Sequence, residues 1–392
     1  MQIPQNSRRH FLKLSGLGIA ALSLPGFSAL AKDNEREYFV YIGTYTDGNS
    51  EGIYLYKLDV ATGELKHVNT TRGVDNPSFL AFDPGKEFLY AVNEVTDFKG
   101  TASGAVSAFL IDKKTGELSF LNQQSTHGGA PCYVQVDKSG KSLLVANYEG
   151  GNVAIFPIQS NGHIGEATKV IDQNNANKGK KDQAHAHCIV TDPENKFAVA
   201  ADLGMDKLFI YKLDANTATL IPNEPYSIST KKGAGPRHFT FNKNGKYAYG
   251  INELNSTLTA YSYNKKKGKL TEIQTVSTLP ENYEGESYCA DVHISPNGKF
   301  LYGSNRGHNS IVVFSIDQKS GQLSLVEHSS TLGNWPRNFA INPSGKILLV
   351  ANQKSDDIFT FFIDSKNGKL TASGKKIQLA SPVFLTVVPK FT

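Results

Sequence analysis

A short unit repeats along most of this chain of 392 residues and limits what it can fold into. The unit is an apolar run, a polar turn, a second apolar run and, in most copies, a closing Asn. One copy covers residues 79–93. The turns of related copies lie at 137–140, 192–195, 242–245, 295–298 and 342–345. Successive turns begin 54, 55, 50, 53 and 47 residues apart, a spacing typical of the blades of a β-propeller.

A second signature follows each copy and predicts a tight hairpin. It reads Thr62-Gly63-Glu64-Leu65 in the first copy. It returns at 115–118, 161–164, 217–220, 267–270, 320–323 and 367–370. Six of these seven turns contain a Gly, which readily adopts the positive φ that tight hairpins require. Each repeat therefore predicts four short antiparallel strands, A to D, with alternating apolar residues in strand C.

The two ends of the repeat region predict that the ring is closed. The first repeat lacks a strand A, because it opens on a strand B at residues 38–44. A matching strand A lies at residues 382–389, near the C-terminus. We therefore predict an all-β fold, a seven-bladed β-propeller with four antiparallel strands per blade, in which the C-terminal strand joins the N-terminal blade.

The N-terminus has the features of an export signal. Arg8 and Arg9 precede a weakly apolar stretch at 14–24, and the small residues of a cleavage site follow at 29–31. The arginine pair resembles a twin-arginine signal, and the apolar run is too short to span a membrane. We predict the twin-arginine export machinery as a partner and a periplasmic location. The predicted division is a signal peptide at 1–31 and a propeller domain at 32–392.

The net charge of the propeller excludes some partners. The whole chain carries 41 basic and 36 acidic side chains, a formal charge of +5. Residues 1–31 contain three basic side chains and no acidic one, which leaves 41 − 3 = 38 against 36, or +2. This near-neutral balance argues against a nucleic acid or a membrane surface as partner. The sequence also lacks a cluster of basic residues with interleaved aromatic residues, which would favour nucleic-acid binding.

In such a propeller, the starts of strand A and the ends of strand B lie at one face, around the central channel. The connections at this face vary in length, and variable loops on a rigid scaffold commonly bind ligands. The polar residues predicted at the strand-A starts are His185, His187, Arg237, His238, Asp291, His293 and Arg337. Those at the strand-B ends include Glu94, Tyr148, Asn252, Glu253, Arg306 and Gln353. Charges near a channel axis are costly unless paired, so mutual ion pairing is the main alternative to a ligand site.

Several strings at this face resemble the seven-bladed lactonase family, which includes bacterial 6-phosphogluconolactonase and fungal carboxymuconate cyclases. They are GAGPRH at 233–238, NELNS at 252–256, PENY at 280–283 and ADVHI at 290–294. The resemblance covers nearly the whole predicted propeller. It implies a metal-independent site built from a His, two Arg and a Glu, which correspond by position to His187, Arg237, Glu253 and Arg306.

The chemistry of lactone opening suits these residue types. His187 or Glu253 could take the proton of the attacking water. Arg237 and Arg306 could stabilise the oxyanion or hold an anionic group. The residues expected to surround the substrate are His185, His238, Asn252, Asp291, His293, Arg337 and Gln353. The predicted activity is hydrolysis of a sugar lactone to its aldonic acid, with the phosphorylation of that lactone left open by the export signal.

The pair His185 and His187 leaves two questions open. An HxH spacing on a strand places both imidazoles on one side, so the spacing does not choose the functional histidine. Cys188 is adjacent, but no carboxylate completes a set with metal-ligand spacing, and we expect neither a metal nor another cofactor. Cys132 and Cys289 lie, like Cys188, at strand-A starts of different blades, which favours buried free thiols over disulfides.

Two alternatives to a lactonase remain at this level. One is a cycloisomerase acting on a muconate-like acid. The other is a non-catalytic periplasmic propeller that binds a protein or glycan, since the same repeats occur in binding propellers. Convergence of His187, Arg237, Glu253 and Arg306 on one pocket would favour the enzyme.

Overall fold

A computed structural model of the chain describes residues 37–177 and 183–391. These residues form seven four-stranded antiparallel sheets. A 3-10 helix spans Gln173–Asn177. The predicted signal peptide lies outside the described residues. Within the described ranges, no helix has the length and apolar character needed to cross a membrane.

The strands of the first four sheets have the following bounds. Sheet 1 contains β1 (Glu37–Thr44), β2 (Gly52–Asp59), β3 (Leu65–Arg72) and the last strand of the chain, β28 (Pro382–Pro389). Sheet 2 contains β4 (Leu80–Phe82), β5 (Phe88–Asn93), β6 (Ala105–Ile111) and β7 (Leu118–Ser125). Sheet 3 contains β8 (Pro131–Val136), β9 (Ser142–Asn147), β10 (Asn152–Pro157) and β11 (Lys169–Asp172). Sheet 4 contains β12 (Ala186–Thr191), β13 (Phe197–Asp202), β14 (Lys207–Asp214) and β15 (Thr219–Ser229).

The remaining three sheets follow the same plan. Sheet 5 contains β16 (Pro236–Phe241), β17 (Tyr247–Asn252), β18 (Thr257–Asn264) and β19 (Lys269–Ser277). Sheet 6 contains β20 (Tyr288–Ile294), β21 (Phe300–Arg306), β22 (Ser310–Ile316) and β23 (Leu323–Ser330). Sheet 7 contains β24 (Pro336–Ile341), β25 (Ile347–Asn352), β26 (Asp357–Ile363) and β27 (Leu370–Gln378).

The C-terminal strand closes the ring. β28 pairs antiparallel with β1, with Val40 opposite Val387. The strands that begin each sheet also contact one another from sheet to sheet, as β12 does with β8 and β16. These seven strands therefore surround the channel as strand A of each blade. The predicted all-β, seven-bladed propeller with its C-terminal closure is confirmed.

Apolar side chains of neighbouring blades pack against one another. Seven buried clusters each join two adjacent blades. In one of them, Tyr249 and Leu258 of sheet 5 pack with Phe314 of sheet 6. Hydrogen bonds reinforce this packing, since the Tyr249 hydroxyl donates to the Gly321 carbonyl at 3.1 Å. Such close packing fixes side chains of different blades relative to one another.

A β-bulge recurs at the channel-mouth end of strand A. The pairing of strands A and B skips one residue in most blades, which leaves that residue without a partner opposite it. The skipped residues are Cys132 in β8, His187 in β12, Arg237 in β16 and Arg337 in β24. A bulge redirects a side chain and interrupts the alternation of the strand. The fold thus turns the bulged side chains Cys132, His187 and Arg337 towards the mouth of the channel.

A second recurring position lies at the end of strand B. The last residue of most B strands is a buried Asn whose side chain is tied to neighbouring turns, as when Asn147 donates to the Thr126 carbonyl at 2.9 Å. The next residue reaches the channel mouth. In this position are Tyr45, Glu94, Tyr148, Glu253 and Gln353, and Arg306, the last residue of β21, likewise follows a buried Asn. Side chains from the two recurring positions of different blades therefore meet at the same opening.

Candidate active site

A cavity of about 300 Å³ opens at this mouth of the channel, and we call it the channel-mouth cavity. Its lining residues come from both recurring positions of several blades. They are Tyr45, Glu94, Ala130, Cys132, Tyr148, Glu149, His187, Glu253, Arg306 and Arg337. Three of the four predicted catalytic side chains, His187, Glu253 and Arg306, therefore face one space.

Glu253 is held between two arginines. Its Oε2 atom lies 2.8 Å from Nε of Arg237 and 2.8 Å from Nη2 of Arg306. The Nε–H of Arg237 is not aligned for a hydrogen bond, so the first contact is a close ion pair. Burial alone would raise the pKa of Glu253, but Arg306, Arg237 and Arg337 lower it. Glu253 is therefore a carboxylate at neutral pH and partly neutralises the arginines around it.

Arg237 lies behind the cavity and does not line it. Its side chain is buried, with 2% of its surface exposed. Nη1 donates to the Ala290 carbonyl and lies 3.2 Å from Nε2 of His238. Its place behind Glu253 differs from the predicted direct contact with an oxyanion. Arg237 forms its ion pair with the Glu253 carboxylate without lining the cavity.

Arg306 and Arg337 supply the donors of the cavity. Arg306 donates from Nη2 to the Cys289 carbonyl at 3.0 Å, and its Nη1 makes no hydrogen bond to a described residue. Burial and nearby Arg237 lower the pKa of Arg306 to about 10, so it remains charged at neutral pH. Cζ of Arg337 lies 5.3 Å from the centroid of the Tyr45 ring, and its Nη2 lies 3.8 Å from Oε1 of Glu94. Both guanidinium groups can therefore bind an anionic or carbonyl oxygen.

His187 is a buried histidine of the cavity. Its Nδ1 lies 3.6 Å from Sγ of Cys132, and its ring meets the Tyr148 ring edge-on. Burial, followed by the charges of Arg237 and nearby groups, lowers the pKa of His187 well below its ordinary value. The imidazole is therefore neutral at pH 7 and can accept a proton. Burial raises the pKa of Cys132, which remains a thiol.

The bulge in β12 separates the two histidines of the HxH pair. His187 occupies the bulge and turns into the cavity, whereas His185 precedes the strand. The His185 ring stacks on Tyr148 with centroids 4.6 Å apart, and it does not line the cavity. Both imidazoles therefore contact the Tyr148 ring, but only that of His187 lines the cavity.

Other predicted substrate contacts lie elsewhere. Asn252 donates to the hydroxyls of Thr257 and Thr259 at 2.9 and 3.1 Å, which ties strand B to strand C. His238, Asp291 and His293 line a different cavity of about 370 Å³, which also includes residues of the A–B turns. His238 and His293 follow the bulges of their strands, whereas Asp291 lies within the bulge of β20. Arg337 lines the channel-mouth cavity, and Gln353 lines a depression beside it.

Glu94 and Tyr45 were given no role from the sequence but face the cavity. The Tyr45 hydroxyl donates to Oε1 of Glu94 at 2.9 Å, and the Ser78 hydroxyl donates to Oε2. Both residues stand directly after the last residue of strand B, as Glu253 does. Aligning all seven B strands by that residue would have identified them.

The described residues contain no group of three or more His, Cys, Asp or Glu side chains placed to hold a metal ion. Cys132, Cys188 and Cys289 are all described, and each is a buried free thiol. The ionisable side chains that line the cavity are an imidazole, carboxylates, guanidinium groups, two phenols and a thiol.

The fold and this site define a seven-bladed propeller enzyme with a polar cavity at the channel mouth. The family model described as "Lactonase, 7-bladed beta-propeller" matches residues 39–387. A 6-phosphogluconolactonase of Bacillus subtilis is 40% identical over 306 residues, 77% of this chain and 84% of that protein. The periplasmic gluconolactonase of Pseudomonas aeruginosa superposes with a TM-score of 0.84 at 33% identity, covering 90% of this chain and 99% of that one. The chain belongs to the seven-bladed β-propeller lactonase family, and its activity is that of a lactonase.

Proposed function

We propose that the channel-mouth cavity hydrolyses an unphosphorylated sugar lactone to its aldonic acid. The observation that carries this proposal is the convergence of a neutral His187, the Glu253 carboxylate and the guanidinium groups of Arg306 and Arg337 on one space. Binding a protein or glycan partner would not require a neutral buried imidazole beside the guanidinium groups of Arg306 and Arg337.

His187 acts as the general base in this mechanism. It takes a proton from a water molecule as the water oxygen bonds to the lactone carbonyl carbon. His187 suits this role better than Glu253, whose Oε2 atom already faces two guanidinium groups. Glu253 instead keeps the arginines in place and balances the positive charge that develops on His187.

Arg306 and Arg337 bind the carbonyl oxygen as it becomes an oxyanion. When the tetrahedral intermediate collapses, the bond between the carbonyl carbon and the ring oxygen breaks. The imidazolium of His187 then returns its proton to that ring oxygen, which becomes a hydroxyl of the product. The carboxylic acid ionises in solution, so atoms and charge balance with water as the only co-substrate.

The charge around the cavity favours a substrate without phosphate. A depression beside the cavity shares Tyr45, Glu94, Ala130 and Glu149 with it. Its carboxylates, which we call the acidic rim, are Asp47, Glu94, Asp97 and Glu149. No Lys or Arg stands among the described residues of this depression. A phosphate group of charge about −1.5 to −2 would be repelled by such a rim.

Comparing two substrates tests this proposal. We expect kcat/KM for glucono-1,5-lactone to exceed that for its 6-phosphate by about tenfold at low ionic strength, with a smaller ratio in added salt. Neutralising Asp47 and Asp97 together with Asn should raise activity on the phosphorylated lactone and leave the other substrate unchanged. Preference of the wild type for the phosphorylated lactone would contradict the proposal.

We propose further that the protein is exported by the twin-arginine machinery and works in the periplasm. The motif at Arg8 and Arg9 supports this, as does the likeness to a periplasmic gluconolactonase. Replacing both arginines with Lys should leave the protein in the cytoplasmic fraction, whereas the unchanged chain should appear in the periplasmic fraction. Equal export of the two forms would contradict this assignment.

A further inference from the structure

A network of buried polar side chains continues from the site into the channel. Behind Glu253 lies Arg237, whose Nη1 is 3.2 Å from Nε2 of His238. Nδ1 of His238 is 2.7 Å from Oδ1 of Asp291. Oδ2 of Asp291 in turn lies 2.8 Å from Nε2 of His293. The network therefore joins the active site to the deeper part of the channel.

The Asp291 carboxylate fixes the direction of these hydrogen bonds. Oδ1 accepts the backbone N–H of Val292 at 2.9 Å, in addition to the bond from His238. Oδ2 accepts from the Asn338 side-chain amide at 2.6 Å, in addition to the bond from His293. Four donors surround one buried carboxylate, which therefore remains ionised and has no proton to give. Nδ1 of His238 must carry the hydrogen that it shares with Asp291.

Arg237 then determines the state of the other nitrogen of His238. A guanidinium group only donates hydrogen bonds, so Nε2 of His238 must accept from Nη1 of Arg237. A hydrogen on Nε2 would place two donors and two positive charges face to face. The contacts on both sides of the ring therefore require the neutral Nδ1–H tautomer of His238.

We propose that Asp291 and His238 are positioning residues for lactone hydrolysis. Asp291 holds the hydrogen of His238 on Nδ1, so that Nε2 accepts from Arg237, and Arg237 in turn holds Glu253. The inference rests on the proposed function of the cavity. It also bears on His187, whose ring centroid is 5.3 Å from that of His238. When His187 takes the proton of water, a neutral neighbour costs less than a charged one would.

Titratable groups from four strands surround His238. Arg237 adjoins it on the same strand, while His187 and Tyr133 approach its ring from β12 and β8. Asp291 and, behind it, His293 lie on β20. Burial and Arg237 lower the pKa of His238 to about 4 even though Asp291 acts in the opposite direction. Burial alone would lower the pKa of His293, but the Asp291 charge raises it.

Two substitutions of His238 separate positioning from simple packing. In His238→Gln, the amide oxygen can replace Nε2 as the acceptor for Arg237. In His238→Asn, the amide can replace Nδ1 towards Asp291, but nothing accepts from Arg237. We expect the Gln variant to keep most of its kcat and the Asn variant to lose about 10–100-fold in kcat. Equal activities, or a more active Asn variant, would overturn the proposal.

The tautomer of His238 can be observed in the wild-type protein, which avoids any effect of substitution on folding. The protein labelled with ¹⁵N in histidine should show one ring in the Nδ1–H form throughout about pH 5–8. That signal should vanish in His238→Gln. An Nε2–H form or an imidazolium at His238 would overturn the assignment. Failure of lactone hydrolysis with the expected tautomer present would contradict the proposed function instead.

Discussion

Replacing His187 with Asn is expected to lower kcat/KM for lactone hydrolysis by about 10²–10⁴-fold. The substitution removes the neutral imidazole that takes the proton of water and later returns it to the ring oxygen. Asn keeps a polar group near Cys132, so the loss should come from the missing base. Initial rates of glucono-1,5-lactone opening, corrected for the spontaneous reaction, measure the effect.

His185→Asn is the matched control. His185 is the other histidine of the same short motif, but it stacks on Tyr148 outside the cavity. We expect this variant to retain nearly full activity. If His185→Asn lost as much activity as His187→Asn, or if neither lost any, the role given to His187 would be wrong.

The pH profile provides an independent test of His187. Its pKa is well below the ordinary value of 6.5, and the deprotonated form is the active one. Activity should therefore be retained as the pH falls through 6.5, and should decline only at lower pH as the imidazole becomes protonated. A decline centred at 6.5 or above would show that a different group controls the rate.

Replacing Arg306 with Ala is expected to reduce kcat by about 10²–10³-fold. The variant loses a guanidinium group that faces the cavity and stabilises the oxyanion. It also removes one of the two ion pairs of Glu253, so circular dichroism and thermal unfolding should first show that the fold persists. Kinetic measurements with saturating lactone then report the loss in the chemical step.

Added guanidinium distinguishes this role from a general structural one. If the loss arises from the missing positive group, guanidinium chloride at low concentration should restore part of the activity of Arg306→Ala. Arg72→Ala serves as the control, because Arg72 forms an exposed ion pair with Glu51 at 2.8 Å. That variant should be as active as wild type and unaffected by guanidinium. Absence of rescue, with the fold intact, would argue against oxyanion stabilisation by Arg306.

The fold could be predicted because the same short sequence features recur once in each blade. Turns such as Asp83-Pro84-Gly85 and the Gly-containing hairpins recur at blade spacing, and each turn requires particular residues. The missing strand A of the first blade and its match at residues 382–389 also predicted the ring closure that the pairing of β28 with β1 confirms. Hydrophobic alternation then determines which side of each strand is buried.

The site was less predictable because it depends on bulges and on the depth of residues in the channel. The bulge at His187 cannot be read from the HxH spacing, which on an unbroken strand gives both imidazoles one direction. Asp291 and His293 are polar residues on strand A like Arg337, yet only Arg337 lines the channel-mouth cavity. Glu94 was recognised as a strand-B end but given no role, because nothing in its local sequence shows that it lines the same cavity as Glu253.

Lactone hydrolysis in the channel-mouth cavity is tested most directly by the rate at which the purified protein opens glucono-1,5-lactone near neutral pH. The reaction should be far faster than the spontaneous opening, proportional to protein concentration and unchanged by prior treatment with a chelator, because the proposed chemistry uses only side chains. A rate equal to the spontaneous one would contradict lactone hydrolysis. A rate abolished by the chelator and restored by a divalent cation would contradict the mechanism assigned to His187 and Arg306.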